Sequence, residues 1–199
     1  MHDNAVDTLA VLRREQTETD RSKAAPLLKA IGDQVDGVQT AGIRSLSPGW
    51  ALVPVKRVYT GPDQVSNDEL CITNGALIAC APAAATNATG VALITANPKA
   101  TKFRGLVPDK VTSVRFVPAD GRKPTMGAVT SNFYSLMVAG GADPGRVKAP
   151  PGYKGGDTIP GPPMPLQGRI EWLNESGEAV GPTSGAPTGR MRQPGGQLR

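Results

Sequence analysis

The sequence predicts a mainly β protein, an antiparallel β-sandwich or partly open barrel with a short N-terminal helical segment and a long Pro/Gly-rich loop. Three observations predict it. The chain has 24 Gly and 19 Pro among 199 residues, a density of breakers that excludes a helical bundle. From Ile43 onward the apolar residues fall in short, partly alternating runs, the period of strands. Turn dipeptides, Asn74-Gly75 and Asp120-Gly121, separate such runs. Hydrophobic residues at 39% suffice for one core of about 100–130 residues. The expected organisation is a helical or irregular segment over 1–40, a β-rich domain over 41–180, and a disordered tail over 181–199.

In chain order, residues 5–14 place Val6, Leu9, Ala10 and Arg13 on one face of a short amphipathic helix. Thr17 and Asp20 resemble a capping box, with Asp standing in for Glu. Pro26 suits the first turn of a second helix that aligns Leu27, Ile31 and Val35, and Gly32 keeps that helix short. A strand follows over 50–58, where Pro54 points to a sheet edge or a bulge. Residues 69–73 and 76–80 flank Asn74-Gly75 as a hairpin, and 90–96 form another strand. In residues 111–117, Thr112, Val114 and Phe116 share one face, with Ser113 and Arg115 on the other. After Asp120-Gly121 comes one long strand over roughly 127–138. In the strand 168–173, Ile170 and Trp172 face the core, while Arg169 and Glu171 face solvent; a turn at 174–177 leads to Ala179-Val180. Residues 139–165 hold seven Pro and seven Gly in 27 positions, a composition expected of a flexible or polyproline-like loop.

The formal net charge is +5 and the pI about 9.4. Most of the excess lies in 99–123, where Lys99, Lys102, Arg104, Lys110, Arg115, Arg122 and Lys123 face only Asp109 and Asp120. These seven are candidate anion-binding residues, and Arg190, Arg192 and Arg199 add charge to the tail. Aromatic residues make up 4% of the chain, few for the stacking platforms that single-stranded nucleic acid uses. A solvated basic face is the simpler expectation, and nucleic acid is a disfavoured partner.

Catalytic motifs are lacking. The single histidine, His2, stands at the start of the chain, which discards Ser-His-Asp and Cys-His mechanisms. With two cysteines no Cys/His zinc site is plausible. No phosphate-binding Gly loop, dinucleotide fingerprint or nucleophile elbow occurs, so neither metal nor cofactor is expected. Asp63, Asp68, Glu69, Asp109 and Asp120 sit in connections or near strand ends, where Asp more often bonds its local backbone than acts in catalysis. Asn87-Ala-Thr89 and Asn174-Glu-Ser176 fit the N-glycosylation pattern, which is frequent by chance.

Cys71 and Cys80 form the most informative pair. A two-residue hairpin at Asn74-Gly75 places them on one diagonal, about 7–8 Å apart and too far for an unstrained bridge. A four-residue loop, 74–77, puts them directly opposite. A bridge is favoured and implies an oxidising compartment; the alternatives are two small buried hydrophobes in a reduced protein and, more weakly, a redox pair.

The segments 11–17 with Asp20-Arg21, 51–55, Leu70-Cys71 with Ala79-Cys80, 105–109 with 111–116, Asn132-Phe133 and 170–173 resemble, in their order, an uncharacterised group of actinobacterial proteins. The resemblance spans roughly residues 9–180. Similar proteins carry an N-terminal signal or membrane anchor ahead of the Arg-Arg segment, which implies an extracytoplasmic β-rich domain with its two cysteines bridged. It implies no activity or ligand. In this chain Met1-His2-Asp3-Asn4 shows no secretory signal, and no apolar run of about 18 residues is present to span a bilayer. The expected function is thus non-enzymatic, an interaction module of the cell envelope or a secreted one, binding a protein or envelope component. The alternative is a cytosolic binder of nucleic acid or another polyanion through 99–123.

Overall fold

A computed structural model of the chain describes residues 7–31, 37–58, 66–140, 146–148, 158–160, 165–181 and 184–185. Two antiparallel sheets carry the structure. The smaller runs β1 (Arg44–Ser47), β2 (Trp50–Val58), β3 (Ser66–Thr73), β4 (Ile78–Pro82) in chain order. The larger runs β13 (Ser184–Gly185), β12 (Gly168–Leu173), β7 (Ser113–Pro118), β8 (Thr125–Thr130), β9 (Phe133–Ala139), β6 (Ala100–Leu106), β5 (Val91–Asn97). One of them curls as a half-barrel. The mainly β class read from the sequence is the observed one.

Strand β2 is apolar almost throughout because both of its faces are covered. Trp50 and Leu52 point to the larger sheet, joining Leu46, Leu70, Ile72, Val91, Leu93, Leu106 and Phe133. Ala51, Val53 and Val55 point the other way, with Ile43 and Cys71, under Ala24 and Leu27 of the helix Glu18–Ile31. A second core fills the inner face of the larger sheet with Ile94, Phe103, Val114, Phe116, Tyr134, Leu136, Ile170 and Trp172. The alternation read in 111–117 places Val114 and Phe116 there.

Several expectations are corrected. Among the described residues Asp7 and Thr8 are helical and Ala10–Arg13 form a separate turn of helix (α1), whose buried residues are Val11 and Leu12, with buried Leu9 just before it, rather than Ala10 and Arg13; a single turn packs whichever side chains its anchors turn inward. Val6 lies outside the described residues. The next helix (α2) starts at Glu18, so Pro26 sits inside it. Its start is set by the Thr17–Asp20 box: Asp20 N donates to Thr17 Oγ1 (3.2 Å) and Thr17 N to Asp20 Oδ2 (2.7 Å). Pro54 is in β2 just past the end of β1, where a turn rather than a strand covers it: Gln39 N donates to its carbonyl (2.9 Å), and Gly42 lies so close that a Cβ would stand 2.6 Å from Pro54 Cγ.

The long strand expected over 127–138 is a hairpin. Ser131 (φ 51°) and Asn132 (φ 63°) both adopt the left-handed conformation, the backbone of a tight two-residue turn, and Val129 pairs with Tyr134 and Thr130 with Phe133. Strand β6 falls inside the basic stretch, where no strand was expected. Glu171 is buried rather than solvent-facing (5% exposed). Within the Pro/Gly-rich stretch, Arg146–Lys148 (β10) and Thr158–Pro160 (β11) pair antiparallel, a regular element in what was expected to be irregular loop. Ser184 and Gly185, in the tail expected to be disordered, pair with Ile170 and Arg169. The remainder of both segments lies outside the described residues.

Candidate functional site

Of the two hairpin alternatives the structure takes the four-residue loop. Thr73 pairs with Ile78 and Cys71 with Cys80, and the two cysteines form a disulfide across a Cα separation of 4.0 Å. The loop holds itself open at that length. Asn74 Oδ1 accepts from Ala76 N (3.1 Å) and Leu77 N (2.8 Å), while Thr73 Oγ1 donates to Leu77 O (2.8 Å). The disulfide faces α2, away from the larger sheet.

Four carboxylates, Asp20, Asp109, Asp120 and Glu171, bond donors of the fold itself. Asp109 Oδ1 accepts from Ala10 N (2.6 Å) and Asn132 Nδ2 (2.8 Å), and its Oδ2 from Arg13 (2.6 Å). Asn132 Oδ1 accepts from Val11 N (3.0 Å) and its Nδ2 donates to Val107 O (3.0 Å). The N-terminal segment is thereby clamped to the larger sheet. Burial alone would raise the Asp109 carboxyl, but the bonds from Asn132, Ala10 and Arg13 hold it below the usual carboxylate range. Asp20, whose side chain is fully buried, is held low in the same way: Arg14, Ser45 N and Thr17 outweigh its desolvation. Glu171 lies between Arg115 (2.6 Å) and Arg169 (2.8 Å), which outweigh its burial. Asp120 pairs with Arg122 (2.7 Å) at the surface. Asp68 and Glu69 belong to β3, and Asp63 lies outside the described residues. Glu69, Cys71 and Cys80 bring potential ligand atoms within 4.8 Å of one another, but both sulfurs are bonded to each other.

The seven basic residues occupy different settings. Lys99 is exposed at the β5–β6 turn, Lys110 in the connection after β6, and Lys123 before β8. Arg122 also donates to Ala139 O (3.1 Å), and Arg115 is tied to Glu171. Lys102 and Arg104 project from β6 on the outer face of the larger sheet, opposite to Phe103.

That outer face is half covered. The smaller sheet seals Val91, Leu93, Leu106 and Phe133, and Trp50 is the last residue of the seal. It stacks on Phe133 (centroids 6.0 Å apart) and carries the Arg104 guanidinium over its ring at 4.8 Å. Beyond this border no side chain among the described residues seals the face. Strands β8 and β9 turn Met126 (53% exposed) and Met137 (63%) outward, along with Ala128, Thr130 and Ser135. Lys102 pairs with Met137 and Arg104 with Ser135 on one flank; Arg115 pairs with Met126 on the other. The bare part is therefore an apolar strip between two cationic margins. Alternation in 125–139 carries this signal in the sequence, but which face a second sheet covers does not show there.

No helix among the described residues is long and apolar enough to cross a membrane. No family model, no curated protein and no solved structure matches the chain.

Proposed function

We propose that the protein is a non-catalytic interaction module of an oxidising, extracytoplasmic compartment, in the envelope or secreted, and that it docks a protein through the bare outer face of the larger sheet. The observation that carries this is the pair Met126 and Met137, large apolar side chains exposed together on a face whose other half is sealed. Isolated exposed apolar residues are ordinary; an apolar strip with a charged rim is what a docking surface requires. The Cys71–Cys80 bridge supports an oxidising location, and the resemblance to exported actinobacterial proteins points the same way. The full engagement of Asp20, Asp109 and Glu171 by structural donors supports a non-catalytic role.

The test is a variant carrying Met126→Glu and Met137→Glu. Both positions face solvent, so its stability should stay within about 0.5 kcal/mol of the parent. The expected result is loss of the partner that the unaltered protein retains from the envelope fraction of its host. Equal retention by a folded variant would contradict the proposal.

A further inference from the structure

Resting on that docking face, the identity of its anchor follows from the arginines. Arg13, Arg14, Arg21, Arg115, Arg122 and Arg169 each have a carboxylate within 4.0 Å. Arg44 donates to the carbonyls of Arg14, Ala41 and Ile43. Among the arginines whose side chains are described, Arg104 is different. Among the described residues its buried Nε has no hydrogen-bond partner, and its guanidinium lies over the Trp50 ring. A guanidinium is a planar fork of five donors that always carries its charge, so leaving part of it dry and unbonded is unfavourable in the free protein.

We infer that Arg104 is the anchor of the docking face and that it takes a carboxylate from an acidic, amphipathic segment of the partner, whose apolar side chains cover Met137 and Met126. Trp50 fixes the guanidinium plane beforehand, which reduces the ordering that binding requires. The side chain is only partly exposed and burial lowers its pKa from the usual arginine value, so a partner carboxylate reaching the terminal amino groups of the fork meets donors that have already lost part of their water. Lys102 stands two residues along the same side of β6, within reach of a second acid on an extended segment. The uncovered outward residues of β8 and β9, Met126, Ala128, Thr130, Ser135 and Met137, include no cation and no aromatic ring, which suits apolar side chains better than a phosphate backbone or stacked bases.

The experiment is a titration of the labelled full chain, followed by NMR at the Arg104 Nε–H and at the methyls of Met126 and Met137. The probes are a capped Leu-Glu-Leu-Glu-Leu peptide, its twin with Gln for Glu, and a thymidine oligonucleotide. The expected result is that the Glu peptide shifts Arg104 and both methionines, and that the Gln twin binds about tenfold or more weakly. Arg104→Gln should erase that difference; Arg104→Lys, which keeps a charged stem over Trp50 but loses the fork, should retain part of it. Near-UV circular dichroism checks that both variants fold. Methionine shifts of equal size with both peptides, and none at Arg104, would overturn the carboxylate anchor while leaving the docking face intact. Shifts at Arg104 with the oligonucleotide and not with the Glu peptide would overturn it in favour of a polyanion. No shift at Arg104 with any probe would overturn it as well, whereas failure of the docking face itself is read separately from the methionine double variant.

Discussion

Asn132 and Asp109 meet through a 2.8 Å hydrogen bond between the β8–β9 turn and the connection after β6, and helix α1 hangs from that pair. Each residue of the pair accepts one helix amide: Asp109 that of Ala10, Asn132 that of Val11. Both amides are among those a helix start leaves without internal partners. Leu9, Val11 and Leu12 enter the core between the sheets as a result.

Replacing Asn132 by Gly separates the turn from the clamp. Glycine accepts the left-handed φ of 63°, so the hairpin keeps its shape while the bonds to Val11, Val107 and Asp109 are lost. The expected cost is about 2 kcal/mol, measured by urea unfolding, with faster hydrogen exchange at the Val11 amide. A variant as stable as the parent would mean that the clamp does not hold the segment.

Acid should destabilise the fold through Asp20, Asp109 and Glu171. Each carboxyl titrates lower in the folded chain than in the unfolded one. Their stabilisation is complete above the unfolded value of about 4 and fades as pH falls toward the folded values. Asp20→Asn should lose about 3 kcal/mol near neutral pH, because Arg14 and the Ser45 amide keep no charged acceptor, and its stability should vary less between pH 6 and pH 2 than that of the parent. A pH profile identical to the parent's would contradict the role given to Asp20.

Removing the disulfide with Cys71→Ala and Cys80→Ala should cost about 2.5 kcal/mol, as expected for a bridge closing a loop of nine residues. Protein isolated from its host under thiol-blocking conditions should take up no label before reduction and two labels after it. Two reactive thiols before reduction would remove the oxidising compartment from the account.

What was legible in the sequence was local. The hairpin around Asn74, the inward Val114 and Phe116, and the Thr17–Asp20 box follow from spacings of a few residues. The four-residue loop was legible only as one of two options, since the Thr73 hydroxyl decides between them. Strand β6 was hidden because its outward residues, Lys102 and Arg104, read as part of a basic run, although Thr101, Phe103 and Gly105 alternate with them. The break at Ser131-Asn132 carries no glycine to announce it. The burial of Glu171 did not show because Arg115, the cross-strand partner that permits it, is far away in the chain. The uncovered part of the outer face depends on where the smaller sheet stops, at Trp50, and that is a property of the packed pair of sheets.

Docking of a protein on the strip of Met126 and Met137 is tested by site-specific photo-crosslinking in the host of origin, with the photoreactive group placed at Met137 and, as a control, at the exposed Glu175 on the turn after β12. The expected result is one discrete protein adduct from position 137, lost on adding Met126→Glu, and none from position 175. Adducts of the same kind from both positions, or none from position 137, would contradict it.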